Sequence, residues 1–230
     1  MKPLIILQAR IKSGRLYGKV IKKINNIPLV VLCAKRLNNS NIPLIVAIPK
    51  TRENLILKKI LKNNKLKFFC GSHLNIFDRY FNIIKDLDDN TIVVRATSDN
   101  PLPDGLFVNE MIKFFVKKNL DYLDTTKKNF ILPHGLAIQI FKAKLLKRVK
   151  QKKLSKFDKE HVSTSISNMK NIKVYKKKYT KYKSIFSKEK FSVDTLKDFK
   201  KIVEVFSLTK RSFSEKFFIL IRKYNESKKI

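Results

Sequence analysis

The 230-residue chain has no tryptophan, five glycines, seven prolines and two cysteines, and only 18 acids stand against 52 bases. No apolar run approaches the roughly 18 residues that cross a bilayer, and the start lacks the basic-then-apolar layout and cleavage site of a secretory leader. The chain is therefore expected in the cytoplasm, with no membrane partner. Cys33 and Cys70 lie in apolar surroundings without CxxC spacing, which points to buried free thiols rather than a disulfide or a metal pair. There is no Gly/Ser linker or internal repeat, and neither glycine nor proline occurs after Gly135, so residues 1–230 are read as one domain.

The shortage of acid gives a formal charge of +34, which ordinarily suggests a polyanionic partner such as RNA. The surplus is mostly lysine, 43 residues against nine arginines, and asparagine and isoleucine are frequent too, the pattern of a genome rich in AAA, AAT and ATA codons. A solvated lysine surface accounts for the charge, and nucleic acid is not expected as a partner. Against that background each arginine is more informative, because only guanidinium offers a planar fork to a phosphate. Hydrophobic residues make up 43% of the chain, enough for a substantial core.

The organising stretch is residues 4–19. Leu4-Ile5-Ile6-Leu7 reads as a buried strand, and it runs into Gln8-Ala9-Arg10-Ile11-Lys12-Ser13-Gly14-Arg15-Leu16-Tyr17-Gly18-Lys19. Arg10, Lys12, Arg15 and Lys19 beside two glycines look like a phosphate loop, in which backbone N–H groups and cations meet an anion. It is neither GxxxxGK[ST] nor GxGxxG, so the standard phosphate-loop and dinucleotide readings do not apply. Downstream, helical spacing over 28–39, a strand at 44–48, a helix over 53–61 and a strand at 67–70 alternate. That order predicts a mostly parallel sheet with helices on both faces and ligands at the carboxyl ends of its strands.

Six further stretches stand out. Residues 71–80, GSHLNIFDRY, lead into a helix; Arg79 there is either a solvated surface residue or a ligand contact. Residues 91–103, TIVVRATSDNPLP, place a β-branched buried strand before Asp99, which reads either as an Asx-turn cap or as a Mg²⁺ ligand completed by substrate phosphates. A helix over 104–118 and a strand at 120–123 follow. Residues 132–141, LPHGLAIQIF, read as a strand, and 142–159 as a basic helix leading to Glu160-His161-Val162. Residues 173–183 interleave lysine with tyrosine, which fits an edge strand with protective lysines better than a single-stranded nucleic-acid site. Residues 191–199, FSVDTLKDF, enter the first of two terminal helices (197–206 and 213–224), with Asp194 an acceptable N-cap by itself.

Taken together these stretches resemble the cytidylyltransferases that make CMP-activated sugar acids, in the branch typified by spore-coat polysaccharide synthesis protein F. The opening matches the signature QARxxSxRLxGK; Asp78-Arg79-Tyr80, the run Arg95, Thr97, Asp99, Pro101, Leu102 and Asp104, and Val193-Asp194-Thr195 with Asp198 match three more motifs. The resemblance spans about residues 4–206. It implies a three-layer αβα Rossmann-like nucleotide-diphospho-sugar transferase fold with a mostly parallel mixed sheet, and transfer of CMP from CTP to a sugar acid with loss of pyrophosphate.

By the same resemblance Gln8, Ala9, Arg10, Ser13, Gly14, Arg15, Lys19, Arg79 and Thr97 contact the nucleotide. Arg10, Lys19 and Asp99 are catalytic, and Asp99 and Asp194 hold Mg²⁺. His134, Gly135, Gln139, Glu160 and His161 face the acceptor. A homodimer is left open. The sequence departs from the pattern at Ser98, where glycine is usual, and at Ala137 and Gln139, where two acids are expected, so the acceptor is unusual or its site impaired.

Overall fold

A computed structural model describes residues 2–39, 41–149, 154–185 and 189–229. Six strands form the central sheet: β1 (Pro3–Gln8), β4 (Leu44–Pro49), β5 (Phe68–Gly71), β6 (Ile92–Thr97), β7 (Tyr122–Asp124) and β8 (Ile138–Lys142). Between β1 and β4 a small hairpin, β2 (Lys23–Ile24) and β3 (Ile27–Pro28), turns on Asn25 and Asn26. Both asparagines have positive φ, the geometry of a type I′ turn.

The sheet order is β5-β4-β1-β6-β8-β7. β5, β4, β1 and β6 run parallel, and β8 is antiparallel to both of its neighbours. Alternating side chains serve two cores, because successive strand residues face opposite sides. Ile5, Leu7, Val46, Ile48, Val94 and Ile140 belong to one core, and Leu4, Ile6, Ala47, Val93 and Phe141 to the other. The first is covered by α1 (Leu29–Asn38), α2 (Leu55–Asn63), α4 (Gly105–Lys117), α8 (Leu196–Ser207) and α9 (Phe217–Ser227). The second is covered by α3 (Ile76–Ile84), α5 (Ala143–Arg148) and α7 (Val162–Ser167), with the short α6 (Lys156–Glu160) beside α3. This is the expected αβα sandwich with a mostly parallel mixed sheet.

β1 lies between β4 and β6, so the chain leaves it toward one edge of the sheet and returns on the other side. The crevice at such a switch point, beyond the carboxyl ends of the strands, is where this architecture binds ligands. Gln8 pairs with Thr97 in register, so the loop after β1 and the loop carrying Asp99 emerge side by side.

Several elements differ from expectation. β8 starts at Ile138, because residues 132–137 turn around Gly135. The basic helix expected over 142–159 appears as α5 and α6, and residues 150–153 lie outside the described residues. No strand runs through 173–183, which makes single bridges from Val174 to Tyr122 and from Tyr179 to Phe130. Its tyrosines turn inward instead, with Tyr175 and Tyr179 edge-on to Phe114 and with Tyr179, Lys181 and Tyr182 all donating to Glu110. Both cysteines are free, Cys33 buried and Cys70 half-buried.

Candidate active site

The loop after β1 is pinned at three points. Ala9 N–H donates to the Ala47 carbonyl, Ile11 N–H to Asn54 Oδ1 (3.1 Å), and Gly18 N–H closes back on the Ile11 carbonyl (3.0 Å). Gly18 sits at φ 65°, where a side chain is strained, and this sharp turn delivers Lys19 into a 3-10 turn facing the crevice. Gly14, expected to share the backbone role, has no left-handed conformation and nothing within 4 Å of where a Cβ would stand.

Lys19 is buried, and its ammonium donates to the Val193 carbonyl (2.7 Å), Asp99 Oδ2 (2.9 Å) and Asp194 Oδ1 (3.3 Å). All three N–H bonds of the ammonium are thereby used. Asp99 Oδ1 accepts from the Thr97 hydroxyl (2.6 Å) and its carbonyl from Val193 N–H (2.8 Å), and the cap of the following helix, α4, is Asp104 instead. Asp194 also meets Arg15 (2.9 Å) and Lys190 (2.8 Å). Burial pushes its carboxyl up, yet the neighbouring Lys190 and Lys19 ammoniums bring it below the ordinary carboxylate range. The N-cap of α8 is Thr195 rather than Asp194, in a capping box with Asp198. The Asp194 side chain is thus left to face the cations of the crevice.

Three adjoining cavities surround this cluster. One of about 360 Å³ is lined by Gln8, Ala9, Arg10, Lys12, Ser13, Gly14, Arg15, Lys19, Thr97, Asp99, Asp194 and His161. A second, about 450 Å³, shares Thr97 and Asp99 and adds Thr125, Thr126, Lys127, Lys128, His134, Gly135, Ala137 and Ser192. A third, about 650 Å³, shares Arg10, Lys12 and Gly14 and is walled by Pro49, Asn54, His73, Leu74, Lys159 and Glu160.

The residues expected at the acceptor therefore do not converge. His134 and Gly135 line the second cavity, His161 the first, and Glu160 the third, where it pairs with Arg10 (3.1 Å). Gly135 is held by geometry: at φ 115° a Cβ would meet the Phe191 backbone at 2.7 Å, where His134 carbonyl accepts from Phe191 N–H (2.8 Å). Gln139 is corrected. Its Oε1 accepts from Arg95 (2.7 Å) and its Nε2 donates to Asp124 (3.0 Å), so its amide is committed within the sheet.

Arg79, expected beside the nucleotide, is corrected too. It is fully buried, because it shares the inner face of α3 with Ile76, Phe77, Tyr80 and Ile84, and it donates to the carbonyls of Ser72 (2.5 Å) and His73 (3.5 Å). It shapes the turn that bears His73 and Leu74 instead of lining a cavity. Burial lowers its pKa to about 10, with Tyr80 acting in the opposite direction.

Among the described residues no group of three or more acids, histidines or cysteines could hold a metal by itself. Two converging hard-oxygen carboxylates at the mouth of a basic loop do match a divalent cation whose remaining ligands come from substrate phosphates and water. Sequence reasoning missed Asp124, His73 and the lysines of the second cavity. Asp124 was legible as an acid just past a predicted strand, one strand from Gln139.

A cytidylyltransferase family model matches residues 4–227. The chain belongs to the cytidylyltransferase family. An uncharacterized protein of Methanocaldococcus jannaschii is 30% identical over 209 residues, covering 89% of this chain and 83% of that protein. The spore coat polysaccharide biosynthesis protein SpsF of Bacillus subtilis is 27% identical over 174 residues, 72% of this chain and 70% of that protein. A cytidylyltransferase from Leptospira borgpetersenii superposes with a TM-score of 0.87 at 23% identity over 100% of this chain and 96% of its own. A CMP:2-keto-3-deoxy-manno-octonic acid synthetase solved with CTP gives a TM-score of 0.63 at 13% identity, over 90% of this chain and 99% of its own. At these identities the two solved structures speak to the fold alone. No helix among the described residues is long and apolar enough to cross a membrane.

Proposed function

We propose that this chain transfers CMP from CTP to a sugar acid, releasing pyrophosphate, in the synthesis of a surface polysaccharide or related glycoconjugate. One observation carries the reading: in a cytidylyltransferase-family chain, Lys19, Asp99 and Asp194 meet at the sheet's switch point beside a loop bearing Arg10, Ser13 and Arg15. The triphosphate lies along that loop, where guanidinium forks and the Lys19 ammonium compete for its oxygens. The nucleoside extends into the third cavity, beside Pro49 and Leu74, and the acceptor into the second.

A sugar hydroxyl attacks the α-phosphorus and loses its proton to solvent, the P–O bond to the β-phosphate breaks, and pyrophosphate leaves with the electron pair. Asp99 and Asp194 would hold Mg²⁺ with phosphate oxygens, and the ion would supply neutralisation of charge on the phosphates. The protein's part is positioning: a pre-aligned cationic cradle costs little reorganisation when charge develops on the leaving group.

Lys127, Lys128 and His134 line the second cavity with Ala137, which stands where the resembling pattern has an acid. Such a wall accepts a carboxylate-bearing sugar, so this replacement alters acceptor choice. A pyrophosphate-release screen tests this with CTP, UTP and GTP against a panel of nonulosonic acids, octulosonic acids and sugar 1-phosphates. Release with CTP and one sugar acid is the expected result. Turnover only with a sugar 1-phosphate, or salt-sensitive RNA binding without any release, would replace the proposal.

A further inference from the structure

A polar relay crosses four strands under the site. Arg95 on β6 donates to Gln8 Oε1 on β1 (3.2 Å) and to Gln139 Oε1 on β8 (2.7 Å). Gln139 Nε2 donates to Asp124 Oδ2 on β7 (3.0 Å), and Tyr122 O–H donates to the same oxygen (3.1 Å). Asp124 Oδ1 accepts from Thr126 N–H (2.9 Å) and the Thr126 hydroxyl (2.7 Å). The register supports the geometry, since Arg95 is paired with Gln139 and Gln139 with Asp124.

Donor counting gives the relay a direction. A carboxylate only accepts and a guanidinium only donates, so an amide between them has one satisfactory orientation. Gln139 must turn its N–H₂ to Asp124 and its carbonyl to Arg95. Gln8 must likewise turn its carbonyl to Arg95, which sends its N–H₂ the other way. Gln8 lines the cavity that also holds Arg10, Ser13, Lys19 and Asp99.

We propose that Gln8 is a specificity-determining donor, its amide oriented toward an anionic oxygen of the bound substrate, and that Asp124 is the positioning residue that sets this orientation through Gln139 and Arg95. The oxygen belongs to a phosphate of the nucleotide or to the carboxylate of the sugar acid. This inference rests on the proposed nucleotidyl transfer for the ligand and on the relay alone for the orientation. In it, Gln139 keeps Arg95 aligned without a carboxylate of its own.

The test is a double-mutant cycle on the full chain, with CTP affinity and sugar-acid affinity measured separately by calorimetry and folding checked by thermal melting. Gln8→Glu keeps an acceptor for Arg95 but puts a carboxylate against the substrate oxygen. At least a tenfold loss of affinity is expected, with an unchanged melting temperature, for CTP if the oxygen is a phosphate's and for the sugar acid if it is a carboxylate's. Asp124→Asn cannot satisfy both the Thr126 and the Gln139 donors, so it lets Gln139 turn over and should weaken the same ligand about threefold.

Gln8 and Asp124 are three strand spacings apart, roughly 14 Å, a separation at which independent effects usually add. Non-additivity that disappears in a Gln139→Leu background is the expected signature. Additive losses, or normal affinity for both ligands in Gln8→Glu, would overturn the proposal.

Side-chain amide NMR reads the relay without any ligand: Asp124→Asn should shift the Gln8 N–H₂ resonances in the wild-type background and leave them unmoved with Gln139→Leu. If wild-type protein binds neither ligand while those resonances shift, nucleotidyl transfer fails and the relay stands. If they do not shift, the relay fails.

Discussion

Lys19 and Asp99, eighty residues apart in sequence, meet at 2.9 Å at the switch point of the sheet, and the same ammonium reaches Asp194 at 3.3 Å. Two carboxylates that would otherwise repel are held together by one buried cation. Because its third N–H goes to the Val193 carbonyl, a phosphate oxygen gains Lys19 only by displacing a protein acceptor. The residue therefore shapes the acidic pair before it touches any substrate.

Replacing Lys19 by Met should remove both effects. Pyrophosphate release is expected to fall at least about 100-fold, the scale of losing one preorganised charge-stabilising donor. The uncompensated carboxylates should cost on the order of 3 kcal/mol of stability. Lys19→Arg keeps the charge and should recover most of the stability but little of the rate. Stopped-time pyrophosphate assays and urea melts check the two quantities separately, and a Lys19→Met protein with normal turnover would exclude the catalytic placement.

Gly135→Ala should be among the most damaging of small substitutions. A methyl there enters the left-handed region and meets the Phe191 backbone at 2.7 Å, so about 2 kcal/mol or more is expected. The displacement would spread to His134 and the second cavity. Chemical denaturation measures the first effect, and a rise in the acceptor's KM with little change in that for CTP measures the second.

Arg36 has no exposure and donates to the carbonyls of Ser212 (2.8 Å), Glu215 (2.9 Å) and Leu102 (2.8 Å), tying α1 to the approach to α9. Burial lowers its pKa to about 10, although Asp104 nearby favours the charged form. Arg36→Met strands those carbonyls at about 1 kcal/mol or more each, so a loss on the order of 3 kcal/mol is expected. Arg36→Lys should rescue only part of it, because one ammonium cannot span the positions that a planar fork reaches. Thermal melts of both variants, with turnover measured well below the transition, separate scaffold from chemistry.

Glu110 supplies a pH dependence away from the catalytic crevice. Burial raises its carboxyl pKa, but the donors from Lys181, Tyr179 and Tyr182 outweigh that and hold it below the ordinary glutamate range. Its contribution to stability is then complete above the unfolded value of about 4.3 and fades as pH falls through the lower folded value. Stability of the wild type should drop more steeply below about pH 4 than that of Glu110→Gln. Parallel acid titrations followed by tyrosine fluorescence would show it, and superimposable curves would remove Glu110 from the account.

The parallel half of the sheet was legible because strands such as 4–7 and 44–48 are short apolar runs between helices with clear spacing, and burial on both faces demands that pattern. The pairing of β8 against β6 was not, since an antiparallel insertion leaves no periodic mark. Lys19, Asp99 and Asp194, which the structure brings together, were singled out through their motifs. Arg79 was misplaced because nothing in Asp78-Arg79-Tyr80 says which way an arginine turns on a helix whose inner face also carries Tyr80. Gln139 looked like a lost acid for a similar reason: the carboxylate that orients it, Asp124, belongs to another strand and came near only through register.

The central place of β1 also bears on how the chain is made. The second backbone flank of β1 is paired only when β6 arrives, about ninety residues later in translation. At about 5–20 residues per second the ribosome needs roughly 5–20 s to deliver that neighbour. During this interval an apolar strand of the nascent protein has one flank open, and β4, made first, covers only the other.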